Sequence, residues 1–329
     1  MARIAVLGSN SFAGATFIDA ALSRGHELLG VNRSAEGSPI FLPYKTNPRA
    51  RAYTFKQLDL NRDMQLICSA LDAFAPSFVV DFAGQGMVAE SWTWPEHWYR
   101  TNLVAKVRLH EFLRTRPWLI KYVRVSTPEV YGNTKEPIRE NHPYAPSTPY
   151  AVSHAAADMS LAAFHRNYGF PAVLTRFANF FGAGQQLYRI VPRAILYALS
   201  GRRLPLHGGG VSVRAFVHAR DAAAGLLAVC ETGKPGETYH FSTDEFHSIR
   251  EVVQTVCAQL GIDFERAVER APDRPGKDQA YRMDAAKAAE QLGWRPSVAF
   301  VQGIRETIGW VRDNFTEMER LPWDYVHKP

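Results

Sequence analysis

The sequence predicts an α/β fold, a Rossmann-type doubly wound parallel sheet followed by a smaller C-terminal α/β lobe. Three observations lead to this prediction. A short apolar strand, a glycine turn and an amphipathic helix open the chain over residues 3–25. Apolar runs then alternate with helical segments, as in parallel sheets covered on both faces. From residue 178 this alternation gives way to short strands and loops rich in Gly and Pro.

The apolar runs and the periodic segments predict individual elements. The predicted strands are 3–8, 27–32, 52–60, 77–84, 122–126 and 172–181. The predicted helices are one that follows Gly14 and ends near residues 24–25, two over 62–74 and 92–118, and one that starts at residue 150. We predict two domains, 1–177 and 178–329, with the chain returning to the first around 215–245.

The first strand leads into the sequence G-S-N-S-F-A-G, which runs from Gly8 to Gly14. Gly8 permits a tight turn, and Gly14 allows the helix to pack close to the strand. Ser11 stands at the middle glycine of the usual G-x-x-G-x-x-G pattern, and Phe12 follows it. Because amide groups at a helix N-terminus bind phosphate, we predict a dinucleotide site; the alternative is an incidental glycine-rich turn.

The ends of the next strands predict further cofactor contacts. Asn32 and Arg33 stand where an acid would hold the ribose hydroxyls of NAD. A missing carboxylate followed by Arg slightly favours NADP; alternatively, Arg33 is solvated and NAD binds through other contacts. Asp59, beside Leu60, is placed to accept from the adenine amino group, and Ala83 lies at the end of the fourth strand on the expected nicotinamide side.

Two segments indicate proton transfer. The fifth strand ends in S-T-P-E-V-Y-G from residue 126, and the following helix begins with Tyr150, four residues before His154. Residues four apart share one face of a helix. Ligands of open α/β sheets bind outside the carboxyl ends of the strands, so Thr127 and Glu129 are predicted to point into the cleft. The alternative for Glu129 is a surface or salt-bridged carboxylate.

Taken together, the motifs resemble those of the extended short-chain dehydrogenase/reductase family, and within it the nucleotide-sugar 4,6-dehydratases, most of all those acting on dTDP-glucose. The resemblance covers nearly the whole chain. The motifs are the Gly8–Gly14 turn, Thr101-Asn102, S-T-P-E-V-Y-G, P-S-T-P-Y-A-V-S-H, A-N-F-F-G at 178–182, Arg214 before F-V-H-A-R-D, and D-R-P-G-K-D-Q-A-Y-R-M-D at 273–284 followed by L-G-W-R-P.

The resemblance implies an NAD(P)-dependent dehydratase that converts an NDP-hexose into a 4-keto-6-deoxy sugar. Tyr150 would be the base at O4, Thr127 would hydrogen-bond O4, and Glu129 would remove the C5 proton. Asn102, Ser126, Tyr150 and His154 would lie against the tightly held cofactor. The residues expected to bind the nucleotide sugar, mainly in the second domain, are Asn179, Arg189, Arg214, Arg274 and Lys277.

Besides Ser11, four residues depart from the family pattern. Pro128 replaces an Asp that protonates the leaving hydroxyl, although GDP-mannose dehydratases also lack that Asp. His154 replaces a charged Lys that lowers the pKa of the Tyr. Met87 and Glu90 replace a His and an Arg common in the dTDP-glucose group. These departures leave room for a catalytically weakened nucleotide-sugar-binding homologue.

A second enzymatic alternative is a nucleotide-sugar 4-epimerase or decarboxylase. Epimerases of the wider family generally carry Ser or Thr where this chain has Glu129. Decarboxylases share the Glu but need an Arg that binds the C6 carboxylate of the substrate. Glu90 makes this part of the site less suitable for a carboxylate.

Composition and charge limit the remaining classes of function. The net charge is +6, but the Lys and Arg residues are scattered, so nucleic-acid binding is not expected. No apolar run is long enough to span a membrane, and no signal or transit peptide is recognised. The three cysteines lack metal-ligand spacing, so we expect reduced thiols, no metal site and a cytoplasmic protein. By resemblance we also expect a homodimer through the helix around 98–113 and the one starting at residue 150.

Overall fold

The computed structural model describes residues 1–134, 136–272 and 280–329, so the predicted substrate residues Arg274 and Lys277 lie outside the described residues. The strands are β1 Arg3–Leu7, β2 Glu27–Asn32, β3 Tyr53–Gln57, β4 Phe78–Asp81, β5 Lys121–Ser126, β6 Ala172–Phe177, β7 Asn179–Phe181, β8 Leu204–His207, β9 Val213–His218, β10 Thr238–Phe241, β11 Phe246–Ser248 and β12 Val268–Ala271.

The α-helices are α1 Phe12–Ser23, α2 Met64–Phe74, α3 Pro95–Tyr99, α4 Ala105–Leu113, α5 Pro149–Tyr168, α6 Ile190–Leu199, α7 Ala219–Thr232, α8 Ile249–Leu260, α9 Phe264–Ala267, α10 Ala286–Leu292, α11 Phe300–Asp313 and α12 Phe315–Met318. No helix in the part of the chain that the structure describes is long and apolar enough to cross a membrane.

Seven strands form one parallel sheet in the order β10-β6-β5-β4-β1-β2-β3. The central strands are buried almost throughout, β6 at every residue, because helices cover both faces of the sheet. The strand order reverses between β1 and β4, and this reversal places a ligand cleft at their carboxyl ends. The predicted fold class is thereby confirmed.

Two smaller sheets accompany the main one. β7 pairs with β9 in parallel and β9 with β11 antiparallel, while β8 pairs with β12. A separate apolar cluster, which includes Phe181, Val252 and Ile304, packs around them. The strand predicted at 172–181 is therefore two strands in different sheets, interrupted at Ala178.

The long helix predicted at 92–118 is also divided. A 3₁₀ turn at Ala89–Trp92 and the short α3 precede a π-helical turn at Arg100–Val104, and α4 follows. Single π turns widen a helix and are frequent at functional sites. Here the wide turn contains the buried Asn102.

Local sequence explains the placement of α5, the helix that carries Tyr150. The Thr148 hydroxyl accepts from the Ala151 N–H, and Pro149 occupies the first turn, where no N–H is needed. Gly169 ends the helix in the left-handed conformation at φ 66°. Both ends of α5 are thus set by residues suited to those positions.

A fully buried ion pair lies beneath the cleft. Lys106 Nζ donates to Asp81 Oδ1 at 2.6 Å, the Tyr122 hydroxyl donates to the other carboxylate oxygen, and the Ala83 N–H donates to Oδ1. Burial lowers the pKa of Lys106 to about 8, although the adjacent Asp81 opposes that shift. The pair therefore ties β4, at the cleft, to α4.

Replacing Lys106 with methionine is expected to lower the free energy of unfolding by about 3–5 kcal/mol, because Asp81 would keep a buried, unpaired charge. Urea denaturation measures the loss. The matched control is Lys45→Met, which breaks a 2.6 Å pair with Glu36 that is partly exposed; that change should cost less than about 1 kcal/mol. Equal losses in the two variants would contradict the expectation.

Candidate functional site

The glycine turn between β1 and α1 lies close to the backbone that follows β4. Gly8 has φ +78°, and a Cβ there would lie 2.7 Å from the Ala83 nitrogen. A Cβ on Gly14 would lie 2.5 Å from the Gly8 carbonyl oxygen. Such distances exclude a side chain at either position, as a phosphate-binding turn requires.

Ser11, the departure from the glycine pattern, caps α1. Its hydroxyl accepts from the Gly14 N–H at 3.1 Å and donates to the Gly8 carbonyl at 2.7 Å. Phe12 is the first residue of α1 and is buried. The serine therefore stabilises the turn by hydrogen bonds that a glycine could not make.

A cleft with about 570 Å³ of empty space, partly open to solvent, lies at the carboxyl ends of β1–β4. Seven of the predicted cofactor residues line it: Gly8, Ser11, Asn32, Arg33, Asp59, Leu60 and Ala83. Asn61, Gln85 and Thr101 line it too, and the sequence analysis had not assigned them to the cofactor site. Asn61 donates to the Thr101 hydroxyl at 2.9 Å, which closes the wall between α2 and the π turn.

The predicted cofactor residue Asn102 is fully buried and bonded to protein atoms. Its Oδ1 accepts from the Gln85 N–H at 2.8 Å, and its Nδ2 donates to the Gln85 carbonyl and to the Ser153 hydroxyl. Asn102 therefore holds the loop after β4 against α5. It shapes the cleft by fixing the main chain of Gln85.

The C-terminal residues pack beside this cleft. Gln85 Nε2 donates to the Lys328 carbonyl at 2.8 Å, and Arg33 Nη1 donates to the Pro329 carbonyl at 2.6 Å. His327 stacks on Trp94 with ring centroids 4.9 Å apart. No local motif in residues 321–329 indicates these contacts, because they depend on positions more than 200 residues away.

At the carboxyl end of β5, Thr127, Glu129 and Tyr150 come together. The buried Thr127 caps the 3₁₀ turn Pro128–Tyr131, and its hydroxyl accepts from the Glu129 N–H at 3.2 Å. Thr127 also shares a hydrogen bond with Tyr150, and the Glu129 carboxylate lies close enough to act on Tyr150 electrostatically. Pro128 fits the first position of this turn, where its missing N–H costs nothing.

Burial raises the pKa of the Tyr150 hydroxyl, and the negative charge of Glu129 raises it further, while the Thr127 hydrogen bond and the positive charge of Arg189 lower it. Tyr150 is therefore neutral at neutral pH in the protein alone. A group that works as a base must lose its proton first, so positive charge near Tyr150 promotes its reaction.

His154, one turn after Tyr150, packs beside it with ring centroids 4.7 Å apart. It is 8 % exposed, and Arg124 Nη2 lies 3.3 Å from its Nδ1. Burial lowers the pKa of His154 well below its ordinary value, and the cations of Arg124, Lys106 and Arg176 lower it further. His154 is therefore an uncharged imidazole.

Ser126, another predicted cofactor residue, faces a buried charged cluster. Its hydroxyl donates to Asp158 Oδ2 at 2.6 Å. Asp158 also accepts from Arg124 Nε at 3.0 Å and from Arg176 Nη2 at 2.9 Å. β5 and β6 set this arrangement, because their register places Ser126 opposite Arg176.

Three predicted substrate residues lie near Tyr281 or Tyr150. Asn179 Oδ1 accepts from the Tyr281 hydroxyl at 2.6 Å, and the Arg214 guanidinium lies 4.6 Å above the Tyr281 ring. Arg189 precedes α6 and is close enough to lower the pKa of Tyr150. Tyr281 joins the Asn179 and Arg214 sides of the site, and sequence reasoning had not assigned it a role.

No group of three or more His, Cys, Asp or Glu side chains within the described residues is arranged to hold a metal ion. The chemistry available here is proton transfer by Tyr150 and Glu129, beside a cleft suited to a dinucleotide.

Replacing Gly14 with alanine is expected to weaken cofactor binding at least about tenfold, because the new Cβ would push α1 away from the Gly8 carbonyl. Titration of the protein with reduced dinucleotide, followed by fluorescence, measures the effect. The control is Gly309→Ala in α11, where an added Cβ meets no atom within 4 Å. Unchanged affinity in the Gly14 variant would remove the turn from the cofactor site.

Comparisons with known proteins agree with this geometry. The family model described as GDP-mannose 4,6-dehydratase matches residues 6–307. A dTDP-glucose 4,6-dehydratase from Xanthomonas campestris is 33 % identical, with 96 % of this chain and 95 % of the relative covered.

Solved structures extend the similarity. A dTDP-glucose 4,6-dehydratase from Streptomyces venezuelae, solved with NAD bound, has a TM-score of 0.88 at 30 % identity and covers 96 % of this chain and 98 % of its own. A UDP-glucose 4-epimerase from Thermus thermophilus in complex with NAD has a TM-score of 0.84 at 28 % identity, covering 94 % and 99 %.

Both of these structures hold NAD, so the slight preference for NADP predicted from Asn32 and Arg33 finds no support. The extent of the family match, the sheet order and the residues around Tyr150 agree with one another. The chain belongs to the GDP-mannose 4,6-dehydratase family, within the extended short-chain dehydrogenases/reductases.

Proposed function

We propose that this protein is an NAD-dependent nucleotide-sugar 4,6-dehydratase, which converts an NDP-hexose into its 4-keto-6-deoxy derivative. The observation that carries the proposal is the position of Glu129, next to Tyr150 and on the turn capped by Thr127. Epimerisation at C4 needs no second base, whereas elimination across C5 and C6 does. A carboxylate beside the tyrosine supports elimination.

The cleft residues fit NAD. Gly8 and Gly14 have no side chain, so the backbone at the start of α1 can come close to a pyrophosphate. Asp59 lines the cleft and would accept from the adenine amino group, although one of its carboxylate oxygens already accepts from the Asn61 N–H at 2.7 Å. NAD would supply a hydride acceptor at C4 and return the same hydride at C6.

The residues of the chain then carry the protons. Tyr150 takes the O4 proton as C4 is oxidised, and Thr127 orients O4. Glu129 removes the C5 proton, which the new C4 ketone acidifies, and the C6 hydroxyl leaves as water. Pro128 has no proton to give, so another group must protonate that hydroxyl. Glu129 finally returns a proton to C5.

The proposed substrate half of the site contains arginines that would bind the diphosphate of the nucleotide sugar. We propose that Asn179, Arg189 and Arg214 contact the nucleotide diphosphate, with Tyr281 aligning the Asn179 and Arg214 side chains. Arginine suits this task because its planar fork binds phosphate oxygens in pairs. The proposed division into domains 1–177 and 178–329 places these residues in the second domain.

Turnover in heavy water tests the function. The purified protein is incubated with dTDP-, GDP-, UDP- and CDP-hexoses, and the products are examined by mass spectrometry and NMR. We expect one of them to give a 4-keto-6-deoxy sugar with solvent deuterium at C5. Turnover of a sugar nucleotide to its C4 epimer alone, or no reaction with any of the four, would defeat the proposal.

A second candidate, a nucleotide-sugar-binding homologue with weakened catalysis, is favoured by the uncharged state of His154. His154→Lys separates the two. A large gain in turnover would identify the wild-type protein as an impaired enzyme, whereas a loss would mean that the histidine serves the reaction as it stands.

We also propose a homodimer, formed by α5 and the helical segment around α4. Exposed apolar side chains on these segments support it: Val104 is 45 % exposed and Met159 is 62 % exposed. Light scattering of the wild type should give twice the chain mass, and Met159→Glu should shift the equilibrium towards monomer. A monomeric wild type would refute this proposal.

A further inference from the structure

The contact between Arg124 and His154 determines which nitrogen of the imidazole carries the proton. Arginine has only donors and remains protonated in proteins. Arg124 Nη2 is 3.3 Å from Nδ1 of His154, so Nδ1 must accept the hydrogen bond and cannot hold a proton. In a neutral ring the proton is then on Nε2.

The surroundings of His154 carry an excess of positive charge. One carboxylate, Asp158, pairs with two guanidinium groups, those of Arg124 and Arg176. The neighbouring Lys106 is matched by Asp81. Two cations against one anion leave one buried positive charge, and Arg124 is the member of the cluster that touches the imidazole.

The other edge of the ring is directed away from this cluster. Within the described part of the chain Nε2 has no hydrogen-bond partner, and it is not among the fully buried unpaired atoms. The ring also packs beside Tyr150. Nε2–H is therefore a donor without a partner among the described residues, and a hydroxyl group of a bound ligand could accept from it.

We propose that Arg124 is a positioning residue that holds His154 as a neutral Nε2–H donor, and that Arg124 supplies the positive charge which a lysine at position 154 would bring. Together the two residues would replace one lysine: His154 donates the hydrogen bond and Arg124 carries the positive charge. The role in C4 oxidation rests on the proposed function, but the protonation state of His154 does not.

Long-range ¹H–¹⁵N NMR of histidine-labelled protein reads this state directly, and His154→Gln identifies the signal. We expect a single Nε2–H tautomer in the wild type. Arg124→Lys should keep it, because an ammonium group is also only a donor. Arg124→Met should change the Nδ1 shift towards a mixture of tautomers, and the matched control Arg176→Met should not.

A wild-type ring protonated on Nδ1 would overturn the proposal without any variant, as would an unchanged signal in Arg124→Met or an equal change in Arg176→Met. If Arg124→Met does not fold, the wild type and Arg124→Lys still decide the question. A correct tautomer in a protein that turns over no sugar nucleotide would leave this inference standing and refute the proposed function alone.

The kinetic arm uses the same variants. Arg124→Met should lower the rate of C4 oxidation about tenfold or more with KM little changed, and Arg124→Lys should recover most of it. His154→Lys alone should be impaired because it places two cations side by side, and Arg124→Gln in the same chain should restore activity. Equal rates of C4 oxidation in the wild type and Arg124→Met would contradict the charge-supplying role.

Discussion

Replacing Glu129 with glutamine is expected to lower dehydration by about 10²–10⁴-fold, because the amide cannot remove the C5 proton. The side chain keeps its size, so binding of cofactor and sugar nucleotide should persist. C4 oxidation should still occur, and reduced cofactor should accumulate in a single turnover. Near-ultraviolet absorbance of reduced nicotinamide and deuterium content at C5 measure the two steps separately.

Glu136→Gln is the matched control, since Glu136 is an exposed carboxylate seven residues further along the chain. It should leave both steps unchanged. Dehydration at the wild-type rate in the Glu129 variant would assign the C5 base to another residue and would weaken the dehydratase proposal at its main support.

Replacing Tyr150 with phenylalanine should have the second large effect, a loss of about 10²–10⁴-fold in C4 oxidation. The ring and its packing on His154 remain, but the group that accepts the O4 proton is gone. In this variant reduced cofactor should not accumulate in a single turnover. Tyr168→Phe, which removes a hydroxyl from an exposed tyrosine on the same helix, is the control.

The pH dependence follows from the raised pKa of Tyr150. A phenol with a raised pKa is mostly protonated at neutral pH, so the rate of C4 oxidation should increase with pH over the neutral to alkaline range. Because the Glu129 carboxylate contributes to that shift, Glu129→Gln should move the profile to lower pH. A flat profile for C4 oxidation in the wild type would mean that proton loss from Tyr150 does not limit this step.

Much of the main sheet and its cofactor turn could be predicted from short-range patterns. β2 begins and ends at the predicted residues, and α1 follows the glycine turn as expected. These elements depend on apolar runs and on glycine and capping chemistry, which a few neighbouring residues determine. The breaks at Ala178 and in the π turn at Arg100–Val104 were not predicted. Ala178 separates strands that pair in different sheets, and in the π turn Asn102 accepts from the Gln85 N–H; both features involve distant residues.

The sequence by itself determined the fold class, the family resemblance, and the candidate roles of Tyr150 and Glu129, because the motifs that carry them are contiguous. Only the tertiary structure placed the C-terminal residues beside the cofactor cleft and Tyr281 between Asn179 and Arg214. It also placed Arg124 against Nδ1 of His154, and the donor role proposed for His154 rests on this contact. These contacts join residues 30 to more than 200 positions apart, and packing of the sheet brings such residues together without any local signal.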